Sequence, residues 1–344
     1  MTKQITAMLL FGGESSEHSV SILSARNVFT ALGATNFKVI LVYIDRNGEW
    51  WLLQSIDQVD NIKDALLVVP VLGTKSFMVL PNGNKLEPDV ILPILHGENG
   101  EDGSIQGLAQ LLHVPIVGCK ISSSAICIDK VFTKQLLEYN NIKTVPYEVN
   151  MSYDPIPDYP DLANRLGEVL FVKPAGCGSS VGINKVSDSE SLKKAIIEAR
   201  KYDNKVLIEK AIIARELEVA MLGSGNNARA SGVGEIVPDG DFYDFESKYS
   251  SSSQSKVLIP ADIPEELSDR IKQIALKAYR VLGCEGLSRV DFFLADDGNV
   301  YLNEVNTLPG FTNISMYPKL WCEDGMAYVE IIEKLIEHAI DNTN

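Results

Sequence analysis

The spacing of apolar residues switches repeatedly between strand-like and helix-like along the first third of this chain. Residues 5–11 are apolar except for Thr6 and run into Gly12-Gly13, the pattern of a strand buried on both faces. Val20, Leu23, Val28 and Leu32 then recur at helical spacing and predict a helix over 16–32. A second apolar run at 37–44 predicts a strand, and Arg46-Asn47-Gly48 turns into a shorter one at 50–53. A third buried strand is expected at 89–95, then a loop at 96–103, a helix to Leu112 and a short strand at 114–117. This alternation predicts an α/β domain of the doubly wound, parallel-sheet type, whose ligands sit beyond the carboxyl ends of the strands. Both glycine-rich junctions, after Phe11 and after Leu95, fall at such ends.

From Ile121 the pattern changes. A helix capped by Ser122–Ser124 is expected to run to about Asn140. Strands follow at 144–149, 169–173, 182–186 and 206–211, with a helix at 189–202 and a turn-rich linker at 154–161. Residues 242–256 are polar and serine-rich, which in a compact domain points to a lid. Residues 326–340 read as a packing helix without chemistry.

Asp297-Gly298 between two strand-like runs predicts a hairpin. Folding it about that turn sets Asp291 opposite Glu304 and Arg289 opposite Asn306 on one face. Two carboxylates and an amide oxygen suit Mg²⁺ carrying a nucleotide's phosphates, with Arg289 beside a phosphoryl group or oxyanion. A plain polar hairpin face fits those residues equally well. The stretch 173–182 follows an apolar strand, and its glycines free backbone N–H groups to close round phosphate, with Lys173 adding charge. It lacks the Gly-Lys-Ser/Thr of a Walker loop, and alone a flexible turn is the simpler reading. Cys177 reads as a loop filler. The strand end at Glu209-Lys210, followed by Glu216 and Glu218, could meet an adenine edge and a ribose, or carry solvated charge. The dense stretch 96–103 puts His96 at a strand's carboxyl end; His113 and His338 read as structural, and His18 adjoins the first glycine turn.

Length and composition narrow the class. The 344 residues allow two or three domains with a sizeable core. A net charge of −15 argues against nucleic-acid surfaces and anionic membranes as partners. Five scattered cysteines without a CxxC spacing indicate neither zinc nor a disulfide framework, and fit reduced thiols in the cytoplasm. No apolar stretch is long enough for a membrane span.

The motifs taken together resemble the ATP-grasp superfamily, and within it the D-alanine–D-alanine ligases. The resemblance runs through Phe11-Gly12-Gly13 with Ser16-Glu17-His18, residues 96–103, Asp129-Lys130, residues 173–182, Tyr243-Asp244 with Lys248-Tyr249, Arg289 with Asp291, and residues 304–312, in that order. It implies a domain at 1–119 followed by a two-part ATP-grasp fold at 120–217 and 218–344, with a lid at 236–257. It also implies ATP-driven ligation of two D-alanines through an acylphosphate, for peptidoglycan precursors. By position, Lys130, Lys173, Ser180 and Lys248 would contact phosphate, Glu209, Lys210 and Ile212 adenine, and Glu216 the ribose. Asp291, Glu304 and Asn306 would bind two Mg²⁺, with Mn²⁺ as a substitute and K⁺ as a further ion. Glu17 would take the first substrate's ammonium, and Arg289 with the Gly310 N–H the oxyanion. Ser315 would hold the second carboxylate, and His96 would lie near the arriving amine. Tyr249 would reach through Ser179 toward Glu17. The retained Tyr249 favours an amine acceptor, D-alanine ahead of D-serine. The resemblance also implies a homodimer. A different ATP-grasp ligase fits Ser16-Glu17 and Lys248-Tyr249 less well, and an ATP or amino-acid sensor fits the intact charged residues less well.

Overall fold

The computed structural model describes residues 4–178, 181–237 and 256–342, which form three sheets. The first is seven-stranded: β1 (Thr6–Gly12), β2 (Lys38–Ile44), β3 (Trp50–Leu53), β4 (Leu66–Val71), β5 (Ser76–Leu80), β6 (Asn84–Leu86) and β7 (Val90–Ile94), in the order β6-β5-β4-β3-β2-β1-β7. β2 and β7 flank β1 in parallel, and these three carry the buried apolar runs read from the sequence. The remaining pairs are antiparallel, so the parallel kernel continues as a meander through β4–β6. Residues 114–117 make a single parallel bridge, Ile91 with Ile116, in place of the expected strand. Pro115 has no N–H to extend the pairing.

The helix expected over 122–140 is two, Ile121–Ile128 and Lys130–Tyr139. Asp129 adopts extended backbone between them and accepts the N–H groups of Val131 and Phe132, both at 3.0 Å. A capping carboxylate of this kind competes with continued helix. The break sets Lys130 at the first position of the second helix.

β8 (Tyr147–Met151), β9 (Leu170–Pro174), β10 (Asn184–Val186) and β11 (Lys205–Lys210) form an antiparallel sheet in the order β10-β9-β11-β8. Helices Tyr159–Leu166 and Ser189–Ala199 cover it, with Leu162, Leu192 and Ile196 packed on Leu170 and Val206. The third sheet, also antiparallel, holds β12 (Ala214–Gly223), β13 (Arg229–Val237), β14 (Lys256–Leu258), β15 (Gly286–Ala295) and β16 (Val300–Asn306), in the order β14-β13-β12-β15-β16. Position 217/218, the expected boundary, lies inside β12. The lid limits 236 and 257 lie in strands that pair with each other, Ile236 with Val257. Residues 238–255 fall outside the described residues.

The first and third units share one core. Helix His18–Leu32, helix Met316–Glu323 and the C-terminal helix Tyr328–Asp341 bury Val28, Trp321, Ile332 and Leu335 with Leu9 and Leu92. Among the described residues no helix is long and apolar enough to cross a membrane.

Candidate active site

The hairpin β15–β16 brings Arg289 opposite Asn306 and Asp291 opposite Glu304, as the turn predicts, but by a less direct route. Nearer the turn, Leu294 pairs with Val300 and Phe292 with Leu302, one residue out of that register. The offset is absorbed between Leu302 and Glu304, where Asn303 is the extra residue of a bulge. Leu302 and Val305 consequently both face the core, which strict alternation forbids, and Glu304 and Asn306 turn to the opposite face with Arg289 and Asp291.

On that face Arg289 holds Asp291 by two bonds, Nε to Oδ1 at 2.7 Å and Nη2 to Oδ2 at 2.6 Å. Its Nε also lies 3.0 Å from Glu218, which pairs with Asp291 from β12. The sequence reading passed over Glu218 as a catalytic neighbour, because its position depends on which strand lies beside β15. Asn306 Oδ1 accepts the Leu308 N–H at 3.1 Å and starts the turn beyond β16. Asp291, Glu304 and Asn306 offer the all-oxygen donors a hard cation takes. Among the described residues no group of three or more His, Cys, Asp or Glu is placed to hold a metal ion by itself.

Lys130 joins this hairpin to the glycine-rich loop. Its Nζ lies 3.6 Å from Glu304 and donates to the Cys177 carbonyl at 2.7 Å. The loop's start is held by Asp203, which accepts the N–H groups of Gly176 at 2.7 Å and Lys205 at 3.0 Å. Lys173 pairs with Glu209 at 2.5 Å, and Lys134, one helical turn beyond Lys130, pairs with it at 2.6 Å. Burial would raise the Glu209 pKa, yet Lys173 and Lys134 together hold it at about 2. Its carboxylate is therefore bound inside the protein, and only the strand's backbone is left for the adenine contact expected of Glu209. Lys134 escaped the sequence reading, although its i+4 spacing from Lys130 marks the same helix face. Lys210 is exposed, Ile212 is half-buried in the connection before β12, and Glu216 is half-buried near the start of β12. Ser179, Ser180, Lys248 and Tyr249 lie outside the described residues.

Glu17 is buried at the head of helix His18–Leu32. A Cβ on Gly97 would stand 3.0 Å from its Oε2 and one on Gly178 3.8 Å away, so the carboxylate lies between two loops that lack side chains there. His96 is buried close to Glu17 and Arg289. Its Nδ1 lies 2.9 Å from the Leu308 carbonyl and its Nε2 3.3 Å from Ser24 Oγ, so both nitrogens are engaged within the protein. Burial lowers its pKa and raises that of Glu101, 4.0 Å away, where Glu17 raises it further. Gly310 has no room for a side chain, since a Cβ would stand 2.7 Å from Ser315 Oγ. Ser315 in turn accepts the Thr312 N–H at 3.0 Å and heads helix Met316–Glu323. Arg289, Asp291, Glu304, Lys130 and the glycine-rich loop are thus linked in one cluster. Glu17 reaches it through Gly178, and Gly310 follows β16 out of it.

The chain is similar to known proteins along nearly its whole length. Residues 6–119 match the family model described as D-ala D-ala ligase N-terminus, and residues 136–337 the model described as D-ala D-ala ligase C-terminus. D-alanine–D-alanine ligase A of Chromobacterium violaceum is 44% identical, over 98% of this chain and 96% of that protein. The solved D-alanine–D-alanine ligase of Coxiella burnetii superposes with a TM-score of 0.90 at 34% identity, covering 99% of this chain and 95% of that one. The VanG D-Ala:D-Ser ligase of Enterococcus faecalis superposes with a TM-score of 0.86 at 33% identity, covering 98% and 100%. Its two halves match in sequence and its whole length matches in fold, and the chain belongs to the D-alanine–D-alanine ligase family.

Proposed function

We propose that this chain joins two D-alanines into D-alanyl-D-alanine at the expense of ATP, supplying a precursor for peptidoglycan. The observation that carries the reading is Lys130, which touches both the phosphate-type loop at Cys177 and the acidic hairpin at Glu304. A triphosphate lying along that line would have loop N–H groups and Lys173 on one side and the hairpin on the other. Asp291, Glu304 and Asn306 would hold Mg²⁺, which neutralises phosphate charge when bound.

The γ-phosphoryl passes to a carboxylate oxygen of the first D-alanine, whose ammonium Glu17 holds, and ADP leaves. The amine of the second D-alanine then attacks the acyl carbon. The tetrahedral oxyanion is met by Arg289, already oriented by Asp291 and Glu218, and by the Gly310 N–H. The carbon–oxygen bond to phosphate breaks, and the departing phosphate takes up the proton that the attacking amine gives up. Ser315 fixes the acceptor's carboxylate.

D-alanine is the preferred acceptor, supported by 44% identity to the D-alanine–D-alanine ligase A of C. violaceum over 98% of this chain. A methyl pocket rejects an added hydroxyl only weakly, so competition between D-alanine and D-serine is the relevant test. A homodimer working in the cytoplasm completes the proposal, tested by light scattering of the purified protein. The function itself is tested by incubating the protein with Mg-ATP and D-alanine alone. One dipeptide per ADP is expected; ADP without dipeptide would mean a different acceptor, and absence of ADP from folded protein would overturn the reading.

A further inference from the structure

Ser24 lies on helix His18–Leu32, is fully buried and has no part in the chemistry above. Its Oγ accepts the Phe311 N–H at 3.2 Å and lies 3.3 Å from His96 Nε2. The opposite nitrogen of His96, Nδ1, is 2.9 Å from the Leu308 carbonyl, which can only accept. The proton therefore belongs on Nδ1, Nε2 is the acceptor, and the Ser24 hydroxyl must donate to it. A closed relay results: Phe311 N–H to Ser24, Ser24 O–H to His96, His96 N–H to the Leu308 carbonyl. Its ends are the two polar backbone groups that flank the Pro309–Gly310 peptide, since Pro309 has no N–H to offer. The Phe311 carbonyl on the far side accepts from Tyr328 at 2.8 Å and from Asn27 at 3.3 Å.

We infer that Ser24 is a positioning residue for the second step: with His96 it fixes both flanks of the turn 308–311 and so aims the Gly310 N–H at the oxyanion. The inference rests on the ligase reading and on the role that reading gives Gly310. The relay also spans two domains, because Ser24 and His96 come from the first unit and the turn from the last. A turn held this way presents its N–H without reorganising when charge develops, which is what an oxyanion donor requires.

The test separates the two chemical steps. Exchange of labelled oxygen within ATP, from the β,γ-bridge to the β-nonbridge position in the presence of D-alanine, reports phosphoryl transfer and its reversal. Dipeptide release reports the whole reaction. Ser24→Ala is expected to keep exchange and the KM for ATP within about threefold while dipeptide formation falls roughly 10- to 100-fold, less than the loss of an oxyanion donor itself can cost. Ser24→Thr, which keeps the hydroxyl, is expected to recover most of the rate. If the alanine variant does not fold, Ser24→Cys keeps the size with a weaker donor and should show the same selective loss. Equal falls in both steps, or an unchanged dipeptide rate, would overturn the role of Ser24. Wild-type protein giving neither exchange nor dipeptide would overturn the ligase reading beneath it.

Discussion

Glu209→Gln probes the buried charge cluster under the phosphate loop. The carboxylate lies 2.5 Å from Lys173 and 2.6 Å from Lys134, and neither Glu209 nor Lys134 has appreciable contact with water. A fall in pKa from 4.5 to about 2 is equivalent to about 3 kcal/mol of stabilisation of the folded state. Removing one partner from a buried pair costs roughly 3–5 kcal/mol, so the two routes agree at the lower end. Lys134 would retain the Val145 carbonyl at 3.3 Å and the face of Tyr147. Burial already lowers its pKa, so without Glu209 it can shed its proton and limit the loss. Urea unfolding at pH 7.5 should therefore show the variant about 3 kcal/mol less stable. The pH dependence has a defined sign. Because the folded-state pKa is depressed, the wild-type advantage is complete above pH 4.5 and is lost as pH falls through about 2. At a pH one unit below 4.5 the gap should have narrowed by about 1 kcal/mol. A difference under roughly 0.5 kcal/mol at pH 7.5, the size of an ordinary surface change, would refute the reasoning. So would a gap that widens in acid.

Three further outcomes follow from the site. Glu304→Gln keeps the shape of the hairpin face but removes one of the two carboxylates offered to Mg²⁺, and ADP production should fall at least about 100-fold with a higher Mg²⁺ requirement; an unchanged rate would remove the proposed metal site. Arg289→Lys cannot span both Asp291 oxygens and Glu218 at once, and kcat should drop roughly 100-fold in steady-state assays. Burial and Glu17 hold the Glu101 carboxyl well above its usual pKa, so its contribution is fully present below the unfolded value and is lost as pH rises through the folded one. Glu101→Gln should match wild type in melting temperature near pH 4 and gain on it as pH rises to 8; the opposite trend would contradict a protonated Glu101.

Local signals made much of the scaffold legible. The buried runs of β1, β2 and β7, the helix after Gly13 and the hairpin at Asp297-Gly298 rest on periodicity and turn chemistry, which act over a few residues. The pairing of Arg289 with Asn306 and Asp291 with Glu304 is the one expected from that turn, but it is reached only through a bulge, since the strands beside the turn pair one residue out of that register. The bulge at Asn303 that turns Glu304 away from the core carries no sequence signature of its own. β4–β6 escaped notice because Pro70 interrupts one strand and another is three residues long. Asp129 is a capping residue that could have split the long helix in advance, but its competition with helix continuity is decided by packing. The roles of Glu218, Lys134 and Ser24 depend on contacts between distant segments, which periodicity does not encode. His96 was noticeable as a residue, while the engagement of both its nitrogens required the turn 308–311 to be in place.

The central claim is that a D-alanine carboxylate is activated by phosphoryl transfer before the peptide bond forms. It is tested most directly with D-alanine carrying ¹⁸O in both carboxyl oxygens, unlabelled ATP and mass analysis of the products. Transfer through an acylphosphate predicts one labelled oxygen in each phosphate released and three in each dipeptide. Phosphate free of label would contradict the account, because ATP would then have been cleaved by water and not by the substrate's own carboxylate.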